Sequence, residues 1–101
     1  MHLVQILLPL CDNQGNRFGA GLFSRRREEL TKAFGGVTAF TRAPAEGTTE
    51  AHGAVVHDDI VVFEVMVERL DRDWWARYRQ SLEQEFAQDE ILIRASQTER
   101  L

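Results

Sequence analysis

Residues 59–67 read Asp-Ile-Val-Val-Phe-Glu-Val-Met-Val, and after Asp59 the run is almost unbroken apolar and rich in β-branched residues, interrupted by one charge, Glu64. Such a run is a strand rather than a surface helix, and its apolar character on both faces predicts a central position in a sheet. A carboxylate set into it must be paired, protonated or used, so Glu64 is the first candidate for a site.

Two helices and three further strands are legible around it. Residues 3–10 form a short apolar strand stopped by Pro9 and the turn-forming stretch Asp12-Asn-Gln-Gly-Asn16. From Ala20 to Phe34 the residues Leu22, Phe23, Leu30, Ala33 and Phe34 recur at helical spacing, and Gly35-Gly36 provides the stop. Arg25, Arg26, Arg27, Glu28 and Glu29 then read as the solvated face of that helix. Val37–Arg42 reads as a strand, and residues 43–57, with Pro44, Gly47 and Gly53, as a long turn or small extra hairpin. Asp71 is an N-cap for a helix reaching about Gln88, with Trp74, Trp75, Tyr78, Leu82 and Phe86 as its apolar stripe. Glu90–Ala95 completes the set. The order β-α-β-β-α-β in 101 residues predicts one domain, 1–101, of the α+β class. Its expected form is ferredoxin-like, a four-stranded antiparallel sheet with two helices on one face.

Period-two alternation separates the sheet faces. Val61, Phe63, Val65 and Val67 belong with Val4, Ile6 and Leu8 on the helix side. Leu3, Leu7, Ile60, Val62 and Met66 then lie on the other face, with Gln5 and Glu64 among them. A face that apolar calls for a cover, and a second copy packed sheet on sheet is the expected one. Glu64 has two readings: a carboxylate paired with Gln5 or with an arginine such as Arg42 or Arg94, or an acid/base group lining a cavity beside the partner. His57 is the best-placed imidazole to share proton transfer with it. Gln5, Arg42, Met66 and Trp75 are the candidate ligand contacts, Arg42 as an anion anchor.

Other features carry less chemistry. The loop Gly15-Asn-Arg-Phe-Gly-Ala-Gly21 matches neither the P-loop nor the dinucleotide fingerprint, which leaves Arg17 a weak phosphate candidate. His52, His57, Asp58 and Asp59 show no metal-ligand spacing, so no metal and no cofactor are expected. The adjacent Trp74 and Trp75 cannot face the same way on a helix, so one belongs in the core and the other at the helix edge. A single cysteine, Cys11, fits a reducing compartment. The N-terminal segment has no basic region and is too short for a signal peptide or a membrane span. A cytoplasmic protein is expected, and the net charge of −4 argues against a nucleic-acid partner.

The stretches Phe34-Gly-Gly-Val-Thr38, Pro44-x-x-Gly47, Gly53, Asp58–Met66 and Asp73-Trp-Trp75 resemble a family of small bacterial proteins without an assigned activity. The resemblance spans essentially the whole chain and extends by fold to the ferredoxin-like dimeric α/β-barrel group. That group includes cofactor-independent monooxygenases, haem-degrading enzymes, dehydratases, isomerases and plain ligand-binding modules. It implies a homodimer with a small organic ligand near Glu64, and proton transfer or oxygenation as the chemistry. It also implies an aromatic residue after Gly47, where this chain has Thr48, and it transfers no catalytic residue. The competing reading is a non-enzymatic interaction or regulatory module whose open sheet face serves only as an interface.

Overall fold

The computed structural model describes the backbone of residues 1–51 and 54–101, and the side chains of residues 1–40 and 59–101. The elements run β1 (His2–Pro9), α1 (Ala20–Phe34), β2 (Thr38–Ala51), β3 (Ala54–Val67), α2 (Arg72–Glu85) and β4 (Ile93–Gln97). They form one antiparallel sheet in the order β2-β3-β1-β4, the ferredoxin-like βαββαβ topology expected from the sequence. Among the described residues no helix is long and apolar enough to cross a membrane.

β1 and β3 are the central pair, in register from His2↔Val67 to Pro9↔Ile60. That register puts Val4, Ile6 and Leu8 beside Val65, Phe63 and Val61, all essentially inaccessible to solvent. Phe23 and Leu30 of α1 cover them with Trp75, Tyr78 and Leu82 of α2, and Phe86 and Ile91 close the end. Each buried aliphatic or aromatic side chain here contributes about 1.5–3 kcal/mol of transfer free energy.

Two boundaries differ from the sequence reading, the end of α2 and the start of β4. The extra hairpin expected at 43–57 is present as paired arms, 45–51 with 54–60, which continue β2 and β3. The pairing slips between Phe40↔Val62 and Ala45↔Ile60, where residues 41–44 stand against Val61 alone. Pro44 falls in this bulge, which suits a residue with no N–H to donate. Beyond it the ladder resumes and runs to Ala51↔Ala54, six pairs past the end of β1, as a two-stranded arm. α2 stops at Glu85 rather than Gln88. Its last carbonyls, of Gln84 and Glu83, accept from the N–H groups of Ala87 and Gln88, with Ala87 at φ 50°. This Schellman-type end normally recruits glycine, so no sequence signal marked it. β4 begins later than expected because Ile91 is first tied to α2, its N–H donating to the Glu83 carboxylate at 3.0 Å.

The third correction concerns charge. Arg26, assigned by sequence to the solvated face of α1, is 8% exposed and lies between the two helices. Its Nε donates to Glu85 Oε1 at 2.8 Å, Nη1 to Glu29 Oε1 and Ser81 Oγ at 3.2 Å each, and Nη2 to the Ser81 carbonyl at 3.4 Å. The guanidinium carbon also stands 5.3 Å from the Tyr78 ring centre. Burial works against the charge. The hydrogen bond to Glu85 and the charges of Tyr78, Glu29 and Glu85 outweigh it, raising the arginine above its ordinary value. Burial likewise pushes the Tyr78 hydroxyl up to about 12, opposed by the charge of Arg26. The spacing Phe23, Arg26, Leu30 sets the arginine on the apolar stripe, a signal that the run of charges around it obscures.

Candidate functional site

On the face away from the helices, the central register brings Gln5 directly opposite Glu64, and their side chains join through Gln5 Nε2 to Glu64 Oε2 at 2.6 Å. Gln5 is also opposite Arg94 of β4, whose Nε donates to Gln5 Oε1 at 2.9 Å. Arg94, Gln5 and Glu64 therefore form a polar track across three adjacent strands. Gln5 is the hinge of the track because its amide donates to the acid through Nε2 and accepts from the base through Oε1.

Apolar side chains surround this track. Phe40, Met66 and Leu92 are 47%, 43% and 48% exposed, and register places Phe40 opposite Val62 on this face. Leu92 lies beside Leu7, whose N–H donates to its carbonyl. These three are the exposed large hydrophobics lying away from the chain ends among the described residues. At one end of the face a depression of about 620 Å³ opens between β1, β3 and the end of α1. Leu3, Met66 and Phe34 form its apolar walls, and Glu64, Glu68 and Arg100 bring charge to it.

Of the residues singled out by sequence, Glu64, Gln5 and Met66 are thus neighbours on one face. Trp75 does not join them. It is buried on the helix side, stacked on Phe34 with ring centres 5.1 Å apart, and Trp74 takes the helix edge, stacked on Tyr78 at 4.9 Å. Arg42 and His57 lie outside the residues whose side chains are described, so neither has a position relative to Glu64 here. Arg94, the other half of the alternative pairing considered for Glu64, reaches Gln5 instead. Sequence reasoning did not single out Phe34, Glu68 or Arg100, since the depression is assembled from chain segments far apart in sequence.

The weak phosphate candidate loses its backbone donors. In the loop after β1, the N–H groups of Gln14 and Asn16 both donate to Asp12 Oδ1 at 2.9 Å, and Gly15 donates to the Asp12 carbonyl. Gly15 permits this turn at φ 85°, and Arg17 stands exposed beyond it. A loop whose amides face an internal carboxylate presents no anion nest.

No protein-family model matches this chain, and no curated protein does. Two solved structures share its fold. A phage SAM lyase in the apo state superposes with a TM-score of 0.63 at 14% identity, over 94% of this chain and 78% of the lyase. A phage SAM lyase in complex with S-methyl-5′-thioadenosine superposes with a TM-score of 0.61 at 14% identity, over 95% and 80% of the two chains. At that identity the likeness is one of fold.

Proposed function

We propose that this chain is a small-molecule-binding domain that works as a homodimer, with the ligand in the depression beside Glu64 and the open sheet face covered by the second copy. The observation that carries this reading is a half-buried carboxylate, held by Gln5, at an apolar-walled depression on an otherwise uncovered face. The fold it shares with a lyase in complex with S-methyl-5′-thioadenosine supports an adenosine thioether or sulfonium as the ligand class. Phe34 and Met66 offer surface for an apolar or aromatic body, and the two carboxylates of Glu64 and Glu68 against the single Arg100 favour a cation such as a sulfonium over a neutral thioether. If chemistry follows, Glu64 is the proton acceptor, with His57 its candidate partner and Arg42 an anion anchor.

Calorimetric titration with SAM and with S-methyl-5′-thioadenosine tests the ligand class. SAM should bind more tightly, and Glu64→Gln should narrow the difference while leaving the oligomeric state by light scattering unchanged. Absence of binding by either compound overturns the ligand class. Loss of the dimer in Glu64→Gln would instead move Glu64 to the interface. That result favours the second reading, an interaction module, for which the exposure of Phe40, Met66 and Leu92 on the same face is the supporting observation.

A further inference from the structure

We propose a second binding site on the opposite, helix side of the sheet, between α2 and β4, for a small ligand that joins one anionic group to an aromatic body. The two elements leave a cleft of about 380 Å³ between them. Its origin is local: Ala76 lines it from the helix and Ala95 from the strand, and two methyl side chains cannot fill the space larger residues would close. Ala95 is opposite Val4 and so faces the helix layer, yet it is exposed, because no helix side chain covers it. Trp75, Val4 and Ile93 supply an apolar floor.

The rim carries the opposite chemistry. Arg72 and Arg79 flank Ala76 at four and three residues along α2, and both line the cleft. Among the described residues Arg72 makes no side-chain hydrogen bond or ion pair. Arg79 engages Glu83 through Nη1 alone, at 3.0 and 3.2 Å, which leaves Nε and Nη2 to donate. Arg94 borders the cleft from the edge strand, with its Nε committed to Gln5 on the other face. No carboxylate is among the described residues lining it, although the whole chain carries a net charge of −4. Two guanidinium groups beside an apolar floor suit a carboxylate or phosphate attached to a ring. The forked donors take the anion, and the ring displaces water from Ile93, Val4 and the alanines. The volume is at the small end for ligand sites, which favours a single-ring compound.

Phenyl phosphate, titrated against the ¹⁵N-labelled protein, tests the site, with inorganic phosphate as the control for charge alone. Saturable shifts are expected at the amides of Ala76 and Ala95 and at the Trp75 indole, with binding about tenfold tighter than for inorganic phosphate. The double variant Arg72→Ala/Arg79→Ala should lose at least about tenfold in affinity, and Ala76→Leu should abolish binding by filling the cleft. Thermal melts establish that both variants are folded. Shifts that map elsewhere, equal binding of inorganic phosphate, or affinity unchanged in the double arginine variant would each overturn the proposal. Because the cleft and Glu64 lie on opposite sides of the sheet, this result is independent of the titrations with SAM and its thioether.

Discussion

Arg26 and Glu64 are both charged side chains set among apolar neighbours, one between the helices and the other on the open sheet face. Arg26 is enclosed: every nitrogen of its guanidinium has an acceptor, drawn from Glu85, Glu29 and Ser81. Glu64 has Gln5 on Oε2, and among the described residues nothing donates to Oε1. A charge whose partners are all supplied within the chain is a fastener, and its contribution is conformational. A charge left with unused hydrogen-bonding capacity, beside exposed Met66 and Phe40, is available to a second molecule. The same contrast holds for the two sheet faces, since the helix side is closed over Phe63 and the other side leaves Phe40, Met66 and Leu92 exposed.

The sharpest way to break this comparison is to truncate one residue on each face. Phe63→Ala should cost about 3–5 kcal/mol in denaturant unfolding, because it empties a fully buried site. Met66→Ala on the open face should change the stability of the monomer by under about 1 kcal/mol and weaken the proposed self-association instead. A large monomer penalty for Met66→Ala would mean that the open face is part of the fold's own core.

Alkali tests the helix layer next. The unfolded chain releases the tyrosine proton near pH 10, whereas the folded chain holds it to about 12. Between those values the unfolded state binds fewer protons, so stability falls as pH rises and the contribution is complete only below pH 10. The loss by pH 12 is up to about 3 kcal/mol. Tyr78 is the chain's one tyrosine, so its ultraviolet titration reads this group alone, and Tyr78→Phe should remove this contribution to the alkaline loss.

Smaller effects separate the two charges themselves. Arg26→Ala should cost about 2 kcal/mol by leaving Glu85 and Glu29 without their shared donor, read as a lower midpoint in urea. Glu64→Gln keeps a hydrogen-bonding oxygen for Gln5 and should shift the same midpoint by under about 1 kcal/mol. Comparable losses for the two variants would erase the distinction between a fastener and a site.

Much of this was legible from residue patterns. Alternation in residues 60–67 and 3–8 assigns both strands their faces, and so sets Gln5 and Glu64 on the same one. The start of α2 was readable because Asp71 caps it, its Oδ1 accepting from the Trp74 N–H at 3.1 Å. The end of α2 was not, since Ala87 takes a left-handed conformation that alanine does not advertise. Arg26 was misread because a run of three arginines looks solvated, and only the approach of α2 shows which of them is enclosed.

The sequence by itself determined the order of elements, the central pairing and the face on which Glu64 stands, because these follow from periodicities of two and 3.6 along a continuous backbone. Tertiary structure decided what depends on separate segments meeting. It brought Arg94 of β4 to Gln5 of β1, enclosed Arg26 with side chains from α2, and left Ala76 and Ala95 lining an open cleft. Those outcomes depend on how far apart the elements settle, a quantity fixed by the packing of side chains distant in sequence and not by any local pattern.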